Sequence, residues 1–185
     1  MKEFVSTLFD INLEKLGGEE RWLLAQLSML PAWAHPCSLL EVLFAEKEGM
    51  DADALHPLLH GLAEKGFLEK QAARRPAHPL LEAVAPEEDG YYMHPVLQDV
   101  VRENLSRELG KEQPDCERCE EMTEYFIDKY SSGDGSRNPA LAFPWLPYGD
   151  ALAAHLPDHE RTATLANNLS GIYWDKGDLD TALGW

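Results

Sequence analysis

Basic side chains are scarce in this chain: 16 Lys and Arg stand against 33 Asp and Glu among 185 residues, a net charge of −17. Both halves share the deficit, with 19 acidic against 10 basic residues through Gly110 and 14 against 6 beyond it. Nucleic acid is held through neutralised phosphates, so a surface of this sign repels it, and no nucleic-acid partner is expected. Cysteine is scarce too. Three thiols (Cys37, Cys116, Cys119) are an odd number and make no secreted disulfide framework. No apolar run approaches the roughly 18 residues that span a bilayer. Met1-Lys2-Glu3-Phe4 opens no signal-peptide core either. These absences predict a cytosolic protein with no membrane partner.

What is present suits a packed core. The apolar fraction is 44%, with five Trp, six Tyr and six Phe, and the length holds one ordinary domain or two small ones. Metal chemistry finds little to work with. Cys116-Glu-Arg-Cys119 is a C-x-x-C with no second pair to complete a zinc knuckle. It sits in a helical pattern with Met122, Tyr125, Phe126 and Ile127, where a thiol packs as a small apolar group. His56 and His60 are four apart on a predicted helix, with no carboxylate or cysteine of matching spacing. His155 and His159 are four apart as well, but Pro157 between them argues against one helical face.

Periodicity organises the chain. Glu19 to Leu30 reads as a helix with Trp22, Leu23, Leu24, Leu27, Met29 and Leu30 as its apolar face, acids in its first turn, and Pro31 as its stop. A second helix is predicted from Ser38 to Ala45. A third starts near Asp51, carries Leu55, Leu58, Leu59 and Leu62, and ends at Gly66. Phe67 to Lys70 alternates like a short strand, Ala72 to Gly90 reads as a long loop, and Tyr91-Tyr92-Met93 returns as the partner strand. Three helices and a two-stranded hairpin is the order of a winged helix. A further helix runs from Pro95 to about Leu109. Beyond the hinge at Gly110 to Pro114 the pattern is helical throughout: Asp115 to Tyr130, Trp145 to Leu156, Arg161 to Lys176, and a last helix from Leu179. That last helix pair leaves its outer face without a neighbour, which predicts that the chain is a piece of a longer one.

Met93-His94-Pro95 is the most informative tripeptide. Pro95 fits a first helical turn, where no backbone N–H is needed, and opens the apolar run Val96, Leu97, Val100, Val101, Leu105. His94 therefore stands at a strand-to-helix junction, where the helix dipole and backbone N–H groups favour an anion. That placement suggests phosphate sensing. The alternative is a histidine that only helps to cap the helix.

Two segments together carry a family resemblance. Leu165, Asn167, Asn168, Leu169, Tyr173, Gly177, Asp178, Leu179 and Ala182 resemble the first three-quarters of a tetratricopeptide repeat, with Ser170 at the small position. Ala182 there lets the second helix lie close to the ring of Tyr173. The N-terminal part resembles the winged-helix segment of the STAND class of signalling NTPases, the NB-ARC or NLR-like family. The matching runs are Leu13-Glu14-Lys15-Leu16, Leu23 to Pro31, Leu59, Leu62, Gly66-Phe67-Leu68, and Tyr92-Met93-His94-Pro95-Val96-Leu97-Gln98.

The resemblance implies a mainly α chain in three parts. Residues 1–110 would be a winged-helix domain with an extra C-terminal helix, 111–160 an α-helical connector, and 161–185 a first, truncated tetratricopeptide hairpin. It also implies that His94 touches the β-phosphate of ADP in a resting state. The third position of that family motif, usually Asp, is Pro95 here. No G-x-x-x-x-G-K-[ST] is present, because the only Gly-Lys pair is Gly110-Lys111 followed by Glu112. The chain is thus expected to be no enzyme and to hold no cofactor itself. ADP or ATP would come only with a separate ATPase domain. The implied partners are that domain, downstream repeats, and a protein or peptide ligand on the repeats.

Two other functions compete. A DNA-binding winged-helix regulator would place Asp51 to Lys65 in the major groove, where Asp51, Asp53 and Glu64 oppose one Lys65 and only Arg74-Arg75 add charge. A stand-alone tetratricopeptide adaptor would have a single incomplete repeat as its groove. No nucleophile, acid–base or metal set stands out for catalysis.

Overall fold

A computed structural model of the protein describes residue 13 and residues 15–45, 52–74, 87–108, 116–131, 139–155 and 160–185. It is mainly helical and contains a small three-stranded antiparallel sheet. The chain divides into two compact units.

The first unit begins with α1 (Gly18–Ser28), whose N-cap Gly17 is extended. The Glu20 carboxylate reaches back to the Gly17 N–H at 3.1 Å, the half of a capping box that needs no cap side chain. Strand β1 (His35–Pro36) follows, then α2 (Cys37–Phe44) and α3 (Ala52–Glu64). Leu23, Leu24, Leu39, Leu40, Leu55, Leu59 and Leu62 are fully buried. Each such side chain contributes about 1.5–3 kcal/mol relative to exposure, so these helices are held chiefly by their leucine stripes. Pro57 lies inside α3 and removes one rung of its ladder without exposing Leu55 or Leu59. Gly66, at φ +79°, closes α3 in a Schellman turn, its N–H on Ala63 and the Phe67 N–H on Leu62.

Strands β2 (Glu69–Arg74) and β3 (Glu87–Tyr92) form a hairpin, and β1 pairs with β3 on its other side, giving the order β1-β3-β2. The two-stranded sheet expected from the sequence is thus corrected to three strands. His35 pairs with Tyr91 and Pro36 with Gly90. A two-residue strand containing proline is too short to show alternation. The hairpin also extends into the stretch read as a loop, since Ala72 to Arg74 and Glu87 to Gly90 are paired. Its outer part is largely charged and exposed, so no apolar period marks it. Gly90 is required at the centre. A Cβ there would lie 2.4 Å from Ala73 Cβ and 2.6 Å from the His35 carbonyl oxygen.

Helix α4 (Pro95–Glu108) packs on α1 through buried Leu97, Val100 and Val101. Val96, grouped with this stripe in the sequence, is 40% exposed. Polar side chains complete the contact. Gln98 Nε2 donates to the Leu30 carbonyl at 3.1 Å, and Arg102 donates to the Ser28 carbonyl and to Asp99. The bonds to Ser28 and Leu30 occupy carbonyls at and just past the end of α1, where the helix itself supplies no donor.

The second unit contains α5 (Cys116–Ser131), two 3₁₀ turns (Pro139–Leu141 and Phe143–Trp145), α6 (Leu146–His155), α7 (Glu160–Lys176) and α8 (Leu179–Gly184). Pro144 and Pro147 fall in the 3₁₀ turn and the first turn of α6, where a missing N–H is tolerated. Phe126 stacks on Tyr148 with centroids 5.1 Å apart, and Tyr125 and Trp145 meet this pair. The Tyr130 hydroxyl donates to the Trp145 carbonyl at 2.7 Å and accepts from the Gly149 N–H at 3.1 Å. Gly149 makes that approach possible, since a Cβ there would lie 2.5 Å from the hydroxyl.

Leu165 and Leu169 of α7 and Ala182 of α8 are buried. Gly177, at φ +84°, ends α7 in a second Schellman turn. Asp178 then caps α8, accepting from the Thr181 N–H at 3.2 Å. Ser170 Oγ donates to the Ala182 carbonyl at 2.8 Å, so a side-chain hydrogen bond joins α7 to α8.

Candidate functional site

The first unit places His94 between the end of β3 and the start of α4. Buried Met93 anchors the chain on one side, and buried Leu97 and Gln98 anchor it on the other. The His94 ring is exposed. It meets the Tyr92 ring edge to face, with centroids 6.3 Å apart.

His94 caps the start of α4. His94 Nδ1 accepts from the Val96 N–H at 3.2 Å, and the His94 carbonyl accepts from Leu97 at 2.9 Å and Gln98 at 3.0 Å. Pro95 has no N–H to offer. The first turn of α4 therefore has no free backbone donor, which corrects the expectation that these amides would meet an anion. Only the helix dipole and the distal imidazole edge remain. Because Nδ1 accepts, the neutral ring carries its proton on Nε2, and that N–H can donate to an oxyanion. One imidazole donor at a well-packed junction is what the site presents.

The junction is held by Gln98, named in the sequence only as part of the family match, and by Arg102 and β1, which the sequence did not point to. Gln98 and Arg102 bind α4 to the end of α1, and β1 secures the strand that leads to His94. A signal for Gln98 was present: it sits between Leu97 and Val101 on an apolar stripe, where a buried amide needs a partner. His35, only 3% exposed, places Nε2 2.9 Å from the Pro31 carbonyl oxygen. Burial pushes its pKa down to about 4, and the Pro31 carbonyl opposes the shift.

Other candidates are otherwise engaged. His56 Nε2 lies 2.7 Å from Glu41 of α2, and His60 lies 3.4 Å from Glu64. Glu64, four residues after His60 on α3, corrects the expectation that no carboxylate stands at that spacing, while the carboxylate at His56 comes from a different helix. Cys37 begins α2, a position that by itself favours a thiolate. Burial raises its pKa instead, with Asp89, Glu88 and Glu41 acting the same way. Glu88 accepts from Ser38 Oγ at 2.5 Å, placing an acid beside that helix terminus. The side chains of Cys116 and Cys119 lie outside the described residues, as do His159, Gly110-Lys111 and Arg75. Among the described residues no group of three or more His, Cys, Asp or Glu can hold a metal ion, and no helix is long and apolar enough to cross a membrane.

The outer face of α3 bears Asp53, His56, His60 and Glu64, with Lys65 held by Glu20 at 2.5 Å. In the hairpin Lys70 pairs with Asp89 at 2.8 Å. Neither lysine is available to neutralise a phosphate without breaking a pair.

In the second unit, Tyr173 donates to Asp150 at 2.5 Å and Lys176 lies 5.4 Å from the centre of the Tyr173 ring. Burial raises the Asp150 pKa, opposed by that hydrogen bond and by Lys176. This group ties α6 to α7. Comparison with protein-family models, with curated proteins and with solved structures gives no match.

Proposed function

We propose that this chain is the non-catalytic regulatory part of a STAND-type signalling ATPase, in which a winged-helix unit senses nucleotide held by a separate ATPase domain. The exposed imidazole of His94, whose Nδ1 is taken up by the helix cap and whose junction packs against α1 and the sheet, is the observation that carries the reading. In the resting state His94 donates to the β-phosphate of ADP on that domain. Exchange for ATP removes the contact, and the equilibrium shifts by the affinity difference between the two states. Element order supports the winged-helix assignment: α1-β1-α2-α3-β2-β3 with strand order β1-β3-β2, followed by the additional α4. The Gly177-Asp178 turn, buried Ala182 and buried Tyr173 support the tetratricopeptide reading of α7 and α8. Further repeats in a longer parent would provide the protein-binding surface.

The test separates the cap from the contact. His94→Asn keeps a side-chain acceptor for the Val96 N–H and removes the distal donor. His94→Gln keeps a donor near the Nε2 position and weakens the cap. In a chain that includes the ATPase domain, His94→Asn should speed ADP release by about 10- to 100-fold, the worth of one hydrogen bond to a charged group. His94→Gln should retain most of the wild-type rate. Equal release rates for wild type and His94→Asn would leave His94 as a helix cap alone.

A further inference from the structure

We draw no further inference here: the strongest candidate, the exposed apolar side chains Trp174, Leu179, Leu183 and Trp185 at the α7–α8 end of the second unit, carries nothing because no observation in the structure shows what covers them.

Discussion

At the scale of single residues, two histidines with different surroundings do different work. His94 faces solvent and stabilises a helix start through Nδ1. Its replacement by Ala should cost about 1 kcal/mol of folding stability, the usual worth of an N-cap. Asn should recover most of that in chemical denaturation of the same chain. His35 is sealed in the sheet–helix junction, and its folded-state pKa of about 4 lies below the ordinary value of 6.5. The unfolded chain therefore takes the proton first. Stability from this residue is complete above pH 6.5 and is lost as pH falls through that window toward 4. By pH 5 the loss from this group should reach about 2 kcal/mol, at 1.36 kcal/mol per pKa unit. Denaturant midpoints for wild type and His35→Gln across pH 5 to 7.5 would check this. A pH dependence unchanged by the substitution would show that carboxylates elsewhere set the acid limit.

At the scale of elements, two contacts decide how helices meet. Where α5 approaches α6, Gly149 stands within the first turns of α6. Gly→Ala in a helix normally gains about 1 kcal/mol. Here the new methyl would lie 2.5 Å from the Tyr130 hydroxyl and 2.8 Å from Leu169. Overpacking of this kind costs about 1–3 kcal/mol, and Tyr130 is held by two hydrogen bonds, so the clash should win. Thermal unfolding of Gly149→Ala should show a lower midpoint than wild type, and a higher one would mean that the helices separate freely. Where α4 meets α1, Arg102→Met would remove the donor to the Ser28 carbonyl while keeping most of the apolar stem. The expected cost is about 1–2 kcal/mol, because the bond is charge-assisted but partly exposed. Combination with Gln98→Leu should fall short of additivity, since the two donors act on carbonyls two residues apart, at and just past the end of α1.

At the scale of the whole molecule, the charge of −17 dominates. Self-repulsion opposes the compact state and is screened by salt, whereas surface pairs such as Lys70 with Asp89 are each worth little. Raising ionic strength from low to physiological should therefore raise the thermal midpoint. A fall would show that local ion pairs outweigh the net repulsion. The same charge predicts no shift of duplex DNA in a low-salt gel assay, where nonspecific affinity is strongest. A shifted band would revive the DNA-binding reading that the acidic outer face of α3 disfavours.

Local order was legible in the chain because its physical causes act over a few residues. Leucine spacing marked α1, α2 and α3, and the glycines at 66 and 177 marked helix ends where φ must be positive. The position of His94 at a helix start followed from Pro95 and the apolar run after it. Tertiary structure alone decided which groups meet across long stretches of sequence. Ser38 and Glu88 are 50 residues apart, Gln98 and Leu30 are 68, and β1 pairs with β3 across a comparable distance. Those partners are brought together by folding of the core, and no periodicity records them. The same holds for the chemistry of residue 94: its neighbours in sequence foretold a helix terminus suited to an anion. The folded backbone uses that terminus's amides internally, leaving one imidazole N–H as the donor.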